Sequence, residues 1–219
     1  MVRVDLHTHS KGSGDGGISS ESYGELLKSS QIDCFAITDH QDIDYAKATQ
    51  ETLNDDLNII VGQEIKTTHG EIIGLFLNAL IPDQLSPEDT VREIRKQSGF
   101  CLIPHPEDKY RSGLSFETMD SIREDIDAIE IFNGRTIGKP NADLKHWARS
   151  NNVPGISSSD AHSASGVGRS YTELSEVPIS SEHLRELLTD QFRPIYERPA
   201  LRSYLAPEFN RMRNRFRRS

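Results

Sequence analysis

The chain has 219 residues, a formal net charge of −9 at pH 7 and 35% hydrophobic residues. This length fits one compact domain with a sizeable core, and the acidity argues against a protein whose whole surface binds nucleic acid. The chain has no stretch of ~20 apolar residues that could span a bilayer, and it begins with a strand-like segment rather than a signal-peptide pattern. We therefore expect a cytoplasmic protein with no membrane partner.

The charge is distributed unevenly, because residues 199–219 carry +5 and the rest of the chain carries −14. We predict a catalytic domain over residues 1–198 and a basic extension over residues 199–219. The arginines of this extension could bind the phosphates of a nucleic-acid end. Alternatively, the extension is disordered or packs on the surface, since it has apolar residues at helix-like spacing: Leu205, Phe209, Met212 and Phe216.

Short apolar, β-rich runs alternate with helical or loop segments, which is typical of an α/β protein with mostly parallel strands. Seven strands are predicted, over residues 2–6, 34–38, 58–63, 72–77, 100–104, 128–132 and 154–157. Helices are predicted over residues 20–30, 41–54, 87–98, 116–123, 141–150 and 181–190. Cys34 and Cys101 lie inside apolar runs and are interpreted as small core residues.

The connection between the third and fourth predicted strands is unusually short. Only residues 67–70 separate them, which is too few for a parallel crossover. This pair should therefore form an antiparallel hairpin. The hairpin would bring Glu71, at the start of the fourth strand, close to Glu64, at the end of the third.

Residues that bind metals well follow nearly every predicted strand. They are His7, His9, His40, Glu64, His105, Asp160 and His162. In a closed parallel barrel, the C-terminal ends of all strands meet at one face, so these distant residues would converge. Imidazole and carboxylate groups are the ligands expected for zinc, manganese or iron(II). The sequence therefore predicts a metal centre at that face.

The other three histidines do not follow this pattern. His146 and His183 fall in predicted helices, and His69 falls in the hairpin turn. We interpret all three as ordinary residues without a metal.

The segments that carry the candidate ligands resemble motifs of the PHP superfamily, the polymerase and histidinol phosphatase superfamily. Its members open with a strand leading into Asp-Leu-His-Thr-His-Ser, as at residues 5–10. Later motifs are matched at residues 37–40, 62–65, 104–106 and 159–162, so the resemblance covers nearly the whole body of the chain. It implies a distorted seven-stranded (β/α) TIM-like barrel with two or three divalent ions, zinc, manganese or iron, at its C-terminal face.

The resemblance also implies which residues hold which ion. The first ion would have four ligands, namely His7, His9, Glu64 and Asp160. Glu64 would bridge to a second ion, which His105 also binds.

A third ion is implied at His40 and His162, joined by Asp15. Many members of the superfamily have this aspartate one residue nearer the His-x-His pair, and we expect the following glycines to let the loop bend Asp15 inward. Glu71 stands where many relatives have a histidine. It is either a further ligand or an exposed acid of the turn.

The chemistry implied for such a cluster is hydrolysis by a water molecule that the metal ions activate. Glu64 is a catalytic candidate as the shared ligand. His40 or His162 could donate a proton to the leaving group, and metal-bound water is an equal alternative.

A phosphate ester also requires positive charge near its oxygens. Arg135, Arg169 and Lys66 are the candidates for this role, and each could instead be a solvated or salt-bridged surface residue.

We therefore expect a phosphoesterase acting on a phosphomonoester, such as a nucleotide, a small phosphorylated metabolite or a nucleic-acid end. One alternative is an amidohydrolase, a class that also begins with His-x-His after its first strand. That class often uses a carboxylated lysine where this chain has Glu64, which favours phosphoester chemistry. A second alternative is a metal-binding module without catalytic activity.

Overall fold

The computed structural model describes residues 1–29, 31–53, 58–136, 142–197 and 201–217. Its strands are β1 (Val2–Thr8), β2 (Cys34–Ile37), β3 (Asn58–Thr67), β4 (Gly70–Leu75), β5 (Phe100–Ile103), β6 (Ala128–Asn133), β7 (Gly155–Ser158), β8 (Ser170–Leu174) and β9 (Arg193–Tyr196). Its α-helices are α1 (Ser20–Lys28), α2 (Asp44–Leu53), α3 (Pro87–Lys96), α4 (Phe116–Ser121), α5 (Ala142–Ser150), α6 (Ser181–Thr189) and α7 (Leu201–Arg217).

The strands form one sheet in the order β7-β6-β5-β4-β3-β2-β1-β8-β9. All seven predicted strands are present, but the described residues contain nine strands, so the predicted count of seven was wrong. A continuous apolar run indicates a strand that is buried on both faces. A strand whose residues alternate between buried and exposed has no such run and was therefore missed. β8 alternates buried and partly exposed residues, and β9 is a short edge strand that contains Pro194.

The sheet is mixed rather than mostly parallel. The pairs β1–β2, β2–β3, β5–β6 and β6–β7 are parallel, whereas β3–β4, β4–β5, β1–β8 and β8–β9 are antiparallel. The predicted hairpin between β3 and β4 is confirmed, with Lys66 opposite Glu71. Because only β4 is reversed between β1 and β7, the other strands in that range end at one rim, which we call the mouth.

The sheet curls into a nearly closed barrel. At the mouth, the His9 N–H donates to the carbonyl of Ala161 and the Asp160 N–H donates to the carbonyl of His7, both at 2.9 Å. Lower down, the Ser157 N–H donates to Thr172 Oγ1 at 3.0 Å. These bonds join the end of β1 to the loop after β7 and tie β7 to β8.

A buried apolar cluster lies on the same strands as the candidate ligands, and it includes Leu6, Ala36, Ile60, Leu102 and Ile156. A second cluster includes Ile94 and Trp147, which come from helices. A third cluster includes Ile37 from a strand and Ala46 from a helix. Cys34 and Cys101 are both buried within these clusters, as predicted.

The predicted helices are all present with shifted ends. Ser86 caps α3 by accepting a hydrogen bond from the Asp89 N–H at 3.1 Å, and Pro87 begins the helix. α2 begins at Asp44 rather than at residue 41, because Gln41 has a φ of 55°, which an α-helix excludes. The predicted ends at residues 30 and 54 and the predicted start at residue 141 lie outside the described residues.

The boundary predicted between residues 198 and 199 also lies outside the described residues, and the division into a domain and an extension stays a prediction. Within the described residues, no helix is both long enough and apolar enough to cross a membrane.

Candidate metal centre

Four side chains from three loops and strands meet at the mouth. The Nε2 atoms of His7 and His9 are 3.1 Å apart, and they lie 3.3 Å and 3.1 Å from Glu64 Oε2. Asp160 Oδ1 is 3.6 Å from each of the two nitrogens. All four residues are buried, with at most 3% of any of them exposed. The predicted convergence of candidate ligands from β1, β3 and the end of β7 is therefore present.

These distances fit a single metal ion. Four ligand atoms at about 2.05 Å from a tetrahedrally coordinated zinc would lie about 3.3 Å from one another. The separations just described scatter around that value. The donors are two imidazole nitrogens that face each other and two carboxylates. A divalent cation would bind this set of donors.

A register shift between Asp5 and Thr8 explains how β1 supplies ligands and core residues together. Leu6 packs in the apolar cluster, and strict alternation would point His7 the other way. A bulge of this kind re-aims the following side chains. His7 and His9 therefore reach the same place, as their spacing predicted.

Glu64 faces two groups of ligands with its two oxygens. Its Oε2 lies near the histidines of β1, and its Oε1 lies 3.0 Å from His105 Nε2. Glu71 Oε2 is 3.8 Å from the same nitrogen, and Glu64, Glu71 and His105 form a group that could hold an ion. Glu71 is only 13% exposed, so its side chain belongs to the cluster rather than to an exposed turn.

The third predicted group lies beside His9, whose ring is next to those of His40 and His162. Asp15 Oδ2 is 3.9 Å from His40 Nε2 and 3.7 Å from His162 Nε2. His40 Nε2 is also 3.5 Å from Glu64 Oε2. The loop that presents Asp15 turns so tightly that a Cβ on Gly16 would collide with the carbonyl of Ser10. The expected role of the glycines in bending this loop is therefore supported.

Three imidazoles are oriented so that Nε2 can bind a cation. The Nδ1 atoms of His7, His40 and His162 lie 2.9 Å, 3.3 Å and 3.0 Å from an acceptor oxygen. The acceptors are the Glu130 carboxylate and the backbone carbonyls of Glu64 and Asp160. Donation from Nδ1–H leaves the lone pair on Nε2, the nitrogen that faces the cluster.

Glu130 is a residue of the site that the sequence analysis missed. Besides His7, its carboxylate accepts hydrogen bonds from the His105 backbone N–H at 2.8 Å and from Asn133 Nδ2 at 2.7 Å. It is fully buried in β6. The available signal was an acid within the otherwise apolar run of residues 128–132, which a buried strand tolerates only when the acid has partners.

Two arginines approach Asp160 from the β5 and β6 side. Arg111 Nη1 donates to Asp160 Oδ2 at 2.9 Å and to Asn133 Oδ1 at 2.6 Å, and its other nitrogens bond to Asp108 and Thr136. The sequence analysis missed Arg111, which lies in a loop beyond any predicted strand end. Its donors are occupied by protein, so it positions Asp160.

Arg135 lies on the same side, as a candidate for phosphate binding should. Its Nη1 is 3.5 Å from Asp160 Oδ1, and its buried Nε has no hydrogen-bond partner among the described residues. Arg169 is exposed just before β8, and in the described part of the chain its side chain makes no hydrogen bond or ion pair. Lys66 is also exposed, opposite Glu71 in the hairpin.

The carboxylates of the mouth strongly perturb one another. Burial raises the pKa of Glu71 to about 9, together with the charges of Glu64 and Asp160. Burial alone would also raise the pKa of Glu64 and of Asp160, but His7 and other cationic neighbours hold both well below the usual range. Without a cation, therefore, Glu71 stays protonated at neutral pH while the other two are ionised.

Burial and the neighbouring charge of His9 lower the pKa of His162 to about 4. His162 is therefore neutral at pH 7 and its Nε2 has no proton to give. This state suits a ligand better than a donor of protons to a leaving group.

Two of the candidate ligands have left-handed backbone conformations, His105 with a φ of 31° and Asp160 with a φ of 51°. Such conformations are uncommon outside glycine and persist when the surroundings fix them, often at functional sites.

The histidines predicted to be ordinary lie elsewhere. His69 and His146 are exposed, and His183 lies at the start of α6 beside Glu176.

Comparisons with known proteins identify relatives of this barrel. A family model described as PHP-associated matches residues 138–190. The uncharacterized protein MJ1587 of Methanocaldococcus jannaschii is 38% identical over 143 residues, covering 60% of this chain and 82% of that protein. A second uncharacterized protein of that organism, MJ0417, is 33% identical over 125 residues, covering 55% of this chain and 53% of that protein.

Solved structures share the fold. A two-domain protein from Bacteroides vulgatus containing a predicted PHP-like metal-dependent phosphoesterase matches with a TM-score of 0.71 at 20% identity, over 96% of this chain and 69% of that one. An amidohydrolase from Chromobacterium violaceum matches with a TM-score of 0.59 at 14% identity, over 73% of this chain and 87% of that one. Fold and site together define an α/β barrel with candidate metal-ligating residues at its mouth. The chain belongs to the PHP superfamily.

Proposed function

We propose that this protein is a metal-dependent phosphoesterase that hydrolyses a phosphomonoester at a centre of two or three divalent ions. The observation that carries this proposal is the position of Glu64. One of its oxygens faces His7 and His9, and the other faces His105 at 3.0 Å. A buried carboxylate that points its two oxygens at separate histidine groups is suited to bridge two cations.

Three groups of residues would hold the ions. His7, His9, Glu64 and Asp160 would hold the first, and Glu64, Glu71 and His105 would hold the second. His40, Asp15 and His162 would hold the third. Zinc, manganese and iron(II) all accept these donors.

Bound cations would supply Lewis-acid activation of a water molecule and stabilise the negative charge that develops on the phosphoryl oxygens. The remaining functions fall to side chains of this protein. Glu130 holds the tautomer and orientation of His7, and Arg111 fixes Asp160. Arg135 has an unused Nε and lies beside Asp160, where it would bind a non-bridging phosphate oxygen.

The space beside the ligands suits a small substrate. A cavity of about 1050 Å³ opens next to His105 and Glu130, and Arg135 and Phe132 also line it. Ligand pockets of small molecules have volumes of roughly this size. We infer that the phosphate lies at the ligand cluster and the leaving group extends into this cavity, as a nucleotide, a small phosphorylated metabolite or a nucleic-acid end would.

The test is to load the purified protein with manganese, zinc or iron(II) and to assay phosphate release from a panel of phosphomonoesters. We expect turnover with at least one metal, and loss of turnover and of bound metal in Glu64→Ala. Absence of phosphate release with every metal would contradict the proposal. Release of amines from amide substrates without phosphate release would point to an amidohydrolase. Stable metal binding without turnover of either class would point to a non-catalytic module.

A further inference from the structure

The C-terminal helix is seated directly on the mouth of the barrel. Asn210 of α7 is 5% exposed, and its Nδ2 donates to the backbone carbonyls of Asp15 and His162, both at 2.9 Å. These two residues belong to the third group of candidate ligands. The contact is tight, because a Cβ on Gly17 would lie 2.8 Å from Asn210 Nδ2. The helix therefore touches two of the three loops that hold this group.

The next residue along α7 brings a positive charge to the same place. Arg211 Nη2 lies 3.0 Å from Asp15 Oδ2, the oxygen that faces His40 and His162. Arg211 Nη1 pairs with Glu208 on the solvent side at 2.6 Å. The side chain is 54% exposed, so it connects solvent with a buried ligand.

Arg211 and Arg111 differ in a way that bears on their roles. Arg111 is 14% exposed and its donors bond to groups of the protein, so it is not free to bind a substrate. Arg211 is accessible, and one of its two partners is the exposed carboxylate of Glu208. A guanidinium that is accessible at the rim of an anionic ligand cluster can bind a phosphate in bidentate geometry.

We propose that Arg211 binds the substrate phosphate at the mouth, in addition to Arg135, so that α7 is part of the substrate-binding site. This inference rests on the proposed function and adds a binding residue to it. A cation held by Asp15 would neutralise part of its charge and weaken its pairing with Arg211. The phosphate would then take up the guanidinium donors that Asp15 gives up.

The experiment measures the affinity of metal-loaded protein for inorganic phosphate by calorimetry, with the metal content determined on the same samples. The variants are Arg211→Ala and Arg211→Lys. The matched control is Arg193→Ala, which removes an exposed arginine of β9 that pairs with Glu173 of β8. We expect Arg211→Ala to weaken phosphate binding by about 10- to 100-fold at unchanged metal content. Arg211→Lys should recover part of the affinity, and Arg193→Ala should match the wild type.

Equal phosphate affinity in Arg211→Ala and the wild type would overturn the inference, as would undetectable phosphate binding by the metal-loaded wild type. Loss of metal in proportion to the loss of phosphate binding would also overturn it, since Arg211 would then only position Asp15. The readout requires no turnover. A wild type that binds phosphate through Arg211 but hydrolyses no ester would refute the proposed function and leave this inference standing.

Discussion

The two rims of the barrel both bury charge, but they satisfy it differently. At the rim opposite the mouth, the carboxylate of Asp127 accepts hydrogen bonds from Arg95 and Arg185 and from the backbone N–H of Cys101, at 2.7 to 3.3 Å. Both of its oxygens are occupied by protein donors. This cluster needs nothing from outside the chain.

The mouth is incomplete by the same standard. Its carboxylates crowd together around a few imidazole nitrogens, and the Nδ1 atoms of His9 and His105 have no partner among the described residues. Glu71 relieves the repulsion only by keeping a proton at neutral pH. Buried polar groups normally have partners, so a cluster this poorly satisfied is arranged for a ligand, whereas a satisfied cluster is arranged for stability. The following changes test this contrast.

The largest effect is expected at Glu64, because it is shared between two groups of ligands. Glu64→Gln should reduce kcat/KM by about 10³-fold or more and lower the metal content per chain. Assays at saturating metal and metal analysis of the dialysed protein measure the two effects. Glu176→Gln is the matched control, since Glu176 is a largely exposed acid far from the mouth. Full metal content in Glu64→Gln would show that Glu64 is not a ligand.

A smaller effect is expected at Glu130, which touches ligands without lying at the cluster itself. Glu130→Gln keeps an acceptor for one donor but cannot accept from both the His7 ring and the His105 backbone N–H. We expect metal affinity to fall by about 10- to 100-fold. A competition titration with a chelator measures it. Unchanged affinity would mean that the orientation of His7 does not depend on this bond.

At the opposite rim, the change should affect stability alone. Asp127→Ala removes the acceptor shared by Arg95 and Arg185, and it should lower the free energy of unfolding by about 2–4 kcal/mol. Urea unfolding of the variant measures this, and metal affinity serves as its control. If metal binding fell while stability held, the contrast between the two rims would be wrong.

The smallest effect, when expressed per unit of pH, concerns the pH dependence of metal binding. The pKa of Glu71 is raised to about 9 without a cation, so the carboxyl is protonated below that pH and must lose its proton to bind an ion. Metal affinity should therefore rise with pH between about 6 and 9, with Glu71 contributing up to tenfold per unit. Calorimetry in buffers of different ionisation enthalpy counts the released protons. Glu71→Gln should release one proton fewer, and an unchanged count would exclude Glu71 as a ligand.

The sequence analysis located most of the mouth because chain order and strand direction suffice for it. A ligand that directly follows a parallel strand must lie at the C-terminal rim, so His7, His40, Glu64 and His105 needed no knowledge of packing. The hairpin that brings Glu71 inward followed from the length of one turn. The amphipathic strand β8 was missed because alternation gives a weaker signal than a continuous apolar run.

Residues that act through others were beyond the reach of this reasoning. Arg111 comes from a loop, and nothing in its neighbours in sequence shows that its guanidinium ends 2.9 Å from Asp160. The same holds for Arg211, which lies 196 residues from Asp15 along the chain. Composition marked the tail as basic but did not show where the helix packs.

The sequence by itself determined the ligand types, their placement after strands and the membership in the PHP superfamily, because strand periodicity and short motifs are local properties. The tertiary structure alone decided that Glu64 faces two groups of ligands, that Glu130 and Arg111 support them, and that α7 is seated on the third. These facts depend on distances between residues far apart in the chain, which are set by barrel closure and packing rather than by local sequence.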